Sequence, residues 1–414
     1  MHQVATPRDA RQRELALLRE VIEEHAAIER LAGSEGERRS AMLLHDRLHE
    51  IGTPSRIEPA TFLEGWARTF AEALAVPIVA GVLGHRRTGR WRVPLALASA
   101  TAGWLLADDI SNGRRPLRRA LRRRRDTQNV IAELGPADAP ITLVVLAHHD
   151  AARTGQMFDQ AAQRALWKRF PERIESIKTS LPSWWPAFLA PMAVGLGLLT
   201  RRRGMQLGGA GFSAVAAGLL VDIARSPVVP GANDNLSGVA VLVALAERWK
   251  REPIEGIRVL LVSAGAEEEL QGGVYGFLED HGAELDPATT RILAVDTVGS
   301  PQLVMLEGEG PVRMIDYDRT FRELVADVAE DAGVTMQRGF RSRFSTDGIV
   351  PTKRRIPTVS LVSLERWGAP SNYHLMTDTP DTLTYETIQA TVDLSEALAK
   401  RLASGDLGGP RSAR

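Results

Sequence analysis

The stretch Pro230-Gly231-Ala232-Asn233-Asp234-Asn235-Leu236-Ser237-Gly238 decides how the rest of the chain is read. Pro, Gly and Asn mark a tight loop, and the run Val239 to Lys250 that follows has helical spacing. A carboxylate in such a loop, at the mouth of an α/β sheet, is well placed for chemistry. Asn/Asp-rich loops are mostly simple turns, so Asp234 acquires meaning only from what surrounds it.

Four other stretches supply that context. Ala147-His148-His149-Asp150 follows Ile141 to Leu146, an apolar, β-branched run that reads as a buried strand. His148 can place an imidazole on a metal, with Asp150 behind it to fix the tautomer. Glu267, Glu268 and Glu269 come just after the predicted strand Ile257 to Ser263. Adjacent acids repel unless a cation or solvent separates them. They read either as a solvated helix start favoured by the helix dipole, or as a metal ligand beside a general base. Asp296 follows the predicted strand Arg291 to Val295, and Tyr373-His374 lies in Ser-Asn-Tyr-His-Leu-Met-Thr-Asp-Thr. The chain thus runs His-x-Asp, Asp, Glu-Glu, Asp, His. Most of these residues fall at or just past predicted strand ends, the side on which open α/β sheets carry their sites. Oxygen and imidazole donors without thiolate suit Zn²⁺, with Mn²⁺ or Co²⁺ as substitutes.

These residues resemble metallopeptidase family twenty-eight of clan MH, which includes bacterial zinc aminopeptidases, glutamate carboxypeptidase, glutaminyl cyclases and the transferrin receptor ectodomain. The matching stretches are Ala-His-His-Asp, Gly-Ala-Asn-Asp-Asn-Leu-Ser-Gly, Gly-Ala-Glu-Glu, Val-Asp-Thr-Val-Gly and Tyr-His, together with Ala32 to Glu37 and the helix ending at Gly52. The resemblance implies two zinc ions. His148 and Asp296 would hold one, Glu268 and His374 the other, and Asp234 would bridge them. It further implies Glu267 as the base acting on a water shared by the ions, Tyr373 as a donor to the developing oxyanion, and Asp150 behind His148. It gives His149 no role, and it marks Asp234–Asn235 as the place to look for a cis peptide. Glu269 is a candidate for the substrate's amino terminus. Ser345-Thr346-Asp347-Gly348 reads either as a turn or as the family's Ser-Asp stretch near the substrate pocket.

At 414 residues the chain is long enough for one large α/β domain with additions. Its formal net charge is zero, which offers no general reason to expect nucleic acid. It has no cysteine, so neither disulfides nor thiolate metal sites arise. The charged first thirty residues lack the apolar segment of a signal peptide. Strands and helices alternate after Asp234, which argues for a three-layer αβα fold with a mixed, mostly parallel central sheet. Thr127 to Leu134 and Ile141 to Leu146 read as paired strands leading into His148, and Met157 to Phe170 as a helix.

Two segments depart from the family. Phe70 to Gly84 and Val93 to Ala107 are apolar arms around a basic tip, His85 to Arg92. Trp184 to Thr200 and Gly204 to Val221 are arms around Arg201-Arg202-Arg203. They read as two helical hairpins, with Pro77, Pro94, Pro186 and Pro191 as kinks. Each arm is shorter than the roughly 20 residues that span a bilayer core, but snorkelling Arg covers a modest shortfall. Trp91, Trp104, Trp184 and Trp185 lie near arm ends, where interfacial aromatics belong. The basic run Arg114 to Arg125 suits anionic headgroups or a solvated helix face. In a soluble protein the hairpins would instead pack on each other or on a second subunit. Gly208-Gly209-Ala210-Gly211 reads as close helix packing rather than a nucleotide loop.

The catalytic domain is therefore expected over 1–62, 126–156 and 226–404, the hairpins over 63–125 and 157–225, and a disordered tail over 405–414. The expected function is a zinc aminopeptidase acting on peptides, associated with lipid at the cell membrane, with the catalytic domain on the cytoplasmic side and with self-association through the hairpins. A non-catalytic binding protein on the same fold, an amidohydrolase and a glutaminyl cyclase are the alternatives.

Overall fold

The computed structural model describes residues 7–86 and 89–408. Arg87 and Thr88 of the first basic tip, the first six residues, and 409–414 of the expected tail lie outside the described residues.

A nine-stranded sheet forms the middle layer. Its strands are β1 (Ser55–Leu63), β2 (Arg124–Leu134), β3 (Thr142–His148), β4 (Arg258–Ala264), β5 (Thr290–Val295), β6 (Gln302–Glu309), β7 (Ile315–Asp316), β8 (Gln337–Ser342) and β9 (Thr358–Leu364). The spatial order is β1-β2-β4-β3-β5-β9-β6, and β6 pairs β7 and β8 beyond. The central strands β4, β3, β5 and β9 run parallel, and the flanks are joined antiparallel through β2–β4 and β6–β9. Every residue of β3 is buried, as expected where helices cover both faces of a parallel strand. Leu143 and Val145 point into the core on one face, while Val144 and Leu146 point into the core on the other.

The expectation that β2 and β3 pair with each other is corrected. β4 lies between them, antiparallel to β2 and parallel to β3. β3 runs antiparallel to β2, as in a hairpin, but one strand's width away, leaving a slot that β4 fills. The predicted helix over 157–170 is also broken. A turn of 3₁₀ helix covers Gln156–Phe158, and separate short helices cover Ala161–Arg169 and Pro171–Glu175. The latter restarts where proline suits a first helical turn.

The helix Ser237–Arg251 is the inner helix of one outer layer. Its residues Val239 to Ala246 are all buried, packed against the sheet and the helices Pro7–Ala26 and Tyr385–Ala403. The opposite layer holds Gly272–Asp280 and Ile349–Lys353.

The hairpins form one bundle of four helices, Trp66–Arg86, Arg92–Ile110, Trp185–Thr200 and Arg203–Arg225. The helices are longer than the apolar runs suggested. The first has 21 residues and the fourth 23, about 31 and 34 Å at the usual rise. These two are long and apolar enough to cross a membrane by length and composition. The bundle interior combines large residues such as Leu74, Leu106, Val194 and Leu198 with close contacts at small ones: Gly81 meets Ala210, Gly103 meets Pro191, Gly195 meets the Ala96 carbonyl, and Gly209 meets the Ala190 carbonyl. Gly208 and Gly211 face open space, so only part of that glycine run serves packing. Pro186 sits in a first helical turn, where it needs no kink.

The root of the bundle packs against the sheet-bearing part of the chain. Trp184 is buried, edge-on to Trp66 at 5.3 Å and Phe70 at 6.4 Å, and Trp185 donates to the Pro311 carbonyl. These two rings therefore anchor the bundle to the domain, whereas Trp91 and Trp104 are exposed. The basic run is likewise divided. Arg118 is fully buried, paired with Asp109 at 2.8 Å and donating to the Leu63 and Glu269 carbonyls. Arg115 is buried and donates to the Leu270 carbonyl. Both join the first hairpin to the turn after β4.

Candidate metal centre

The C-terminal ends of the parallel strands converge on one spot. His148 ends β3, Glu267 and Glu268 lie in the turn after β4, Asp296 follows β5, and the loop after β9 carries Tyr373 and His374. Asp234 arrives from the turn that opens the helix Ser237–Arg251. All the residues singled out in the sequence for this chemistry are thus brought together.

Three overlapping donor groups form there: His148 with Asp234 and Asp296, Asp234 with Glu268 and His374, and His148 with Glu267 and Glu268. The donor atoms of each group lie within 4.8 Å of one another. Asp234 is common to the first two, and it uses different oxygens. Oδ1 lies 3.3 Å from His148 Nε2, and Oδ2 lies 3.0 Å from His374 Nε2. Glu268 Oε1 is 3.3 Å from His374 Nε2, and Asp296 Oδ2 is 4.0 Å from His148 Nε2.

The electrostatics of this cluster call for a cation. Burial pushes the Asp296 carboxyl up to about 7, with Asp234 adding its own charge to the shift. Burial likewise raises Glu268, and Asp234 again opposes its ionisation. Burial works against ionised Asp234, yet the close imidazoles of His148 and His374 hold it well below the usual carboxylate range. Burial disfavours a charged His374, but Glu268 and Asp234 lift it to about 10. Both nitrogens of His148 and Glu268 Oε1 are buried without a hydrogen-bond partner. Imidazole and carboxylate donors, orphaned and facing one small space, fit a zinc site with no thiolate.

The supporting residues were mostly missed by sequence reasoning. Asp150 Oδ1 is 3.4 Å from His148 Nδ1, as the expected backing carboxylate would be. Its two oxygens also accept the backbone N–H groups of Glu267 and Glu268, at 2.9 and 3.0 Å, and so orient the Glu-Glu turn. Asp378 accepts the N–H groups of Asn233 and Asp234. Fully buried Arg30 donates to the carbonyls of His149, His25, Ile28, Pro230 and Gly231, joining the loop of His148 to the loop of Asp234. Glu37 accepts from Gly33, Thr127 and Ala266. The Asp234–Asn235 peptide bond is cis.

Glu267 Oε2 lies 3.9 Å from His148 Nε2, while Oε1 accepts from Gln271 Nε2 at 2.7 Å. Burial raises the Glu267 carboxyl well above its usual range, against the attraction of His148. The Tyr373 ring stacks on His374 at 3.9 Å, and burial keeps its hydroxyl protonated. Asp347 is buried close enough for its charge to raise Glu267, and neither of its oxygens has a partner. The stretch is therefore part of the site's wall rather than a plain surface turn. Glu269 accepts from the Trp66 N–H at 3.2 Å and lies 3.8 Å from Arg118, so its carboxylate is already engaged with the root of the first hairpin.

A mixed sheet with two His/carboxylate groups sharing one Asp at its C-terminal edge is the architecture of the zinc exopeptidases. Residues 219–399 match the family model of Peptidase family M28, so the resemblance read from the sequence is borne out over that stretch. The match begins after His148 and Asp150, which the fold carries into the same cluster. No curated protein sequence matches the chain. Among solved structures, the chain is similar to an aminopeptidase from Aneurinibacillus sp. strain AM-1, at 14% identity and TM-score 0.54 over 94% of this chain and 93% of that one. It is also similar to a zinc aminopeptidase from Bacillus subtilis, at 14% identity and TM-score 0.52 over 95% of each chain. At these identities the likeness establishes the fold.

The buried acids fix how the metal-free protein should respond to pH. Burial raises Asp296 and Asp378 to about 7 and Glu309 to about 8. Between about 4 and these values the folded chain holds protons that the unfolded chain has released. The stability they contribute is full below about pH 4 and is lost as pH rises through 7–8. His25 and His149, lowered to about 3 and about 4 mainly by burial, oppose this below pH 6.5. Chelated protein should therefore have a lower thermal midpoint at pH 8 than at pH 6.5, and zinc should narrow the gap. Equal midpoints for the chelated protein would contradict this electrostatic account.

Proposed function

We propose that the chain is a dinuclear zinc aminopeptidase, with Asp234 shared between an ion held by His148 and Asp296 and an ion held by Glu268 and His374. The observation that carries this reading is that each oxygen of Asp234 faces a different imidazole. Bound zinc supplies Lewis acidity, which polarises an amide carbonyl and acidifies water.

The chain's own residues do the rest. Gln271 holds one oxygen of Glu267, leaving Oε2 turned to the cluster to take a proton from the attacking water. The water oxygen bonds to the carbonyl carbon, the C–N bond breaks, and Glu267 returns the proton to the leaving amine. The Tyr373 hydroxyl donates to the oxyanion that develops. Asp150 keeps His148 oriented and sets the turn that carries Glu267 and Glu268. Residues 1–62, 126–156 and 226–404 form the peptidase unit in this reading, and the hairpin segments add a bundle whose root, with Phe158, helps to wall the site.

That module is proposed to sit in a membrane. Its outer face exposes Val79, Leu97, Trp104, Leu199, Phe212 and Val215, and Gly81, Gly103, Gly195 and Gly209 bring its helices close together. An apolar outer face on helices that approach at small residues is a pattern of helices packing in lipid. The bundle's root carries the catalytic layer, so the peptidase unit lies at the membrane surface, on the cytoplasmic side if the basic root obeys the positive-inside rule.

Glu267→Gln should lower kcat on aminoacyl and peptide substrates by about 10²–10⁴-fold, with zinc per chain unchanged by elemental analysis. Retained turnover would remove Glu267 as the base, and loss of zinc would make it a ligand instead. On cell fractionation, the intact chain should sediment with membranes through high-salt and carbonate washes and require detergent for release. Recovery in the soluble fraction without detergent would end the membrane reading.

A further inference from the structure

Three cavities open onto the cluster, and the two larger ones differ in chemistry. One, of about 270 Å³, is bounded by Phe158, Phe340, Phe344 and Tyr373 and reaches Asp234, Glu267 and Asp296. The other, of about 370 Å³, lies on the bundle-root side and reaches Glu268 and His374, and its wall carries Arg68, Arg122, Arg125 and Arg153.

These arginines are not equivalent. Arg68 and Arg122 both pair with Glu72. Arg125 lies 3.3 Å from Glu64 and is half exposed. Glu64 and Glu269 also line this cavity, but Glu64 is paired with Arg125 and Glu269 is held by Trp66 and Arg118. Arg153 is partly buried, three residues after Asp150, and donates from one terminal nitrogen to the Ser226 carbonyl at 2.6 Å. No carboxylate is paired with it among the described residues. A partly buried guanidinium held at one nitrogen beside a cavity is a ready partner for a carboxylate.

We infer that the arginine-lined cavity is a carboxylate subsite for the far end of the substrate, with Arg153 as its anchor. This rests on the peptidase reading above and refines its substrate class. A peptide lying across the cluster would have its amino-terminal side chain in the aromatic cavity and its free carboxylate at Arg153. The preferred substrates are then short peptides with an unblocked carboxyl end, since a long or amidated chain cannot present that charge there.

The test compares zinc-loaded protein on leucyl-alanine and leucyl-alanine amide. The free acid should be favoured in kcat/KM by about tenfold or more, the scale of a charge-assisted hydrogen bond, and mainly through KM. Arg153→Gln should collapse that ratio toward one, and Arg153→Lys should restore part of it. An equal rate on acid and amide in the wild type, or a ratio unmoved in Arg153→Gln, overturns the subsite while leaving the peptidase reading intact. If neither peptide is cleaved, the peptidase reading falls, and calorimetric binding of alanyl-alanine decides the subsite. Binding that weakens in Arg153→Gln supports it. Binding that is absent, or equal in both proteins, overturns it.

Discussion

The constraint on which this structure depends is the burial of one carboxylate between two imidazoles. Asp234 faces His148 with one oxygen and His374 with the other, and Glu268 and Asp296 stand close behind. So much negative charge in a dry site is costly unless cations neutralise it. The fold accepts that cost by surrounding the cluster with fixed hydrogen-bond partners. Asp150 and Asp378 take backbone N–H groups from the ligand loops, and buried Arg30 gathers carbonyls from both. Metal affinity in such a site is set as much by these partners as by the ligands.

The parallel strands explain how residues far apart in sequence reach one place. β4, β3, β5 and β9 end at the same edge, so each following turn delivers its polar residue to the same spot. The bundle is attached at this edge as well. Trp66, Phe70 and Trp184 share an apolar cluster with Phe158, while Tyr373 packs against it. The four-helix bundle and the site wall are thus parts of one packed unit.

Much of this was legible because it is local. An apolar run followed at once by a polar residue marks a strand end, which places His148, Asp296 and the Glu267–Glu268 pair without any knowledge of the fold. The hairpin arms were legible from continuous apolar composition. What the chain hides is non-local. Nothing near β2 or β3 announces that β4 will separate them. Arg30 is one arginine among many until carbonyls 119 and 200 residues away are seen to converge on it. Trp184 looks like an interfacial aromatic because its partners, Trp66 and Phe70, lie in the other hairpin. Arg118 sits in a basic run, and only the fold reveals that Asp109 and the turn after β4 enclose it.

The central claim is that the two oxygens of Asp234 serve two ions. Anomalous diffraction at the zinc edge from zinc-loaded crystals tests it most directly. The account predicts two peaks about 3.5–4 Å apart, one beside His148 and Asp296, the other beside Glu268 and His374, with Asp234 between them. A single peak, or peaks away from Asp234, would contradict it.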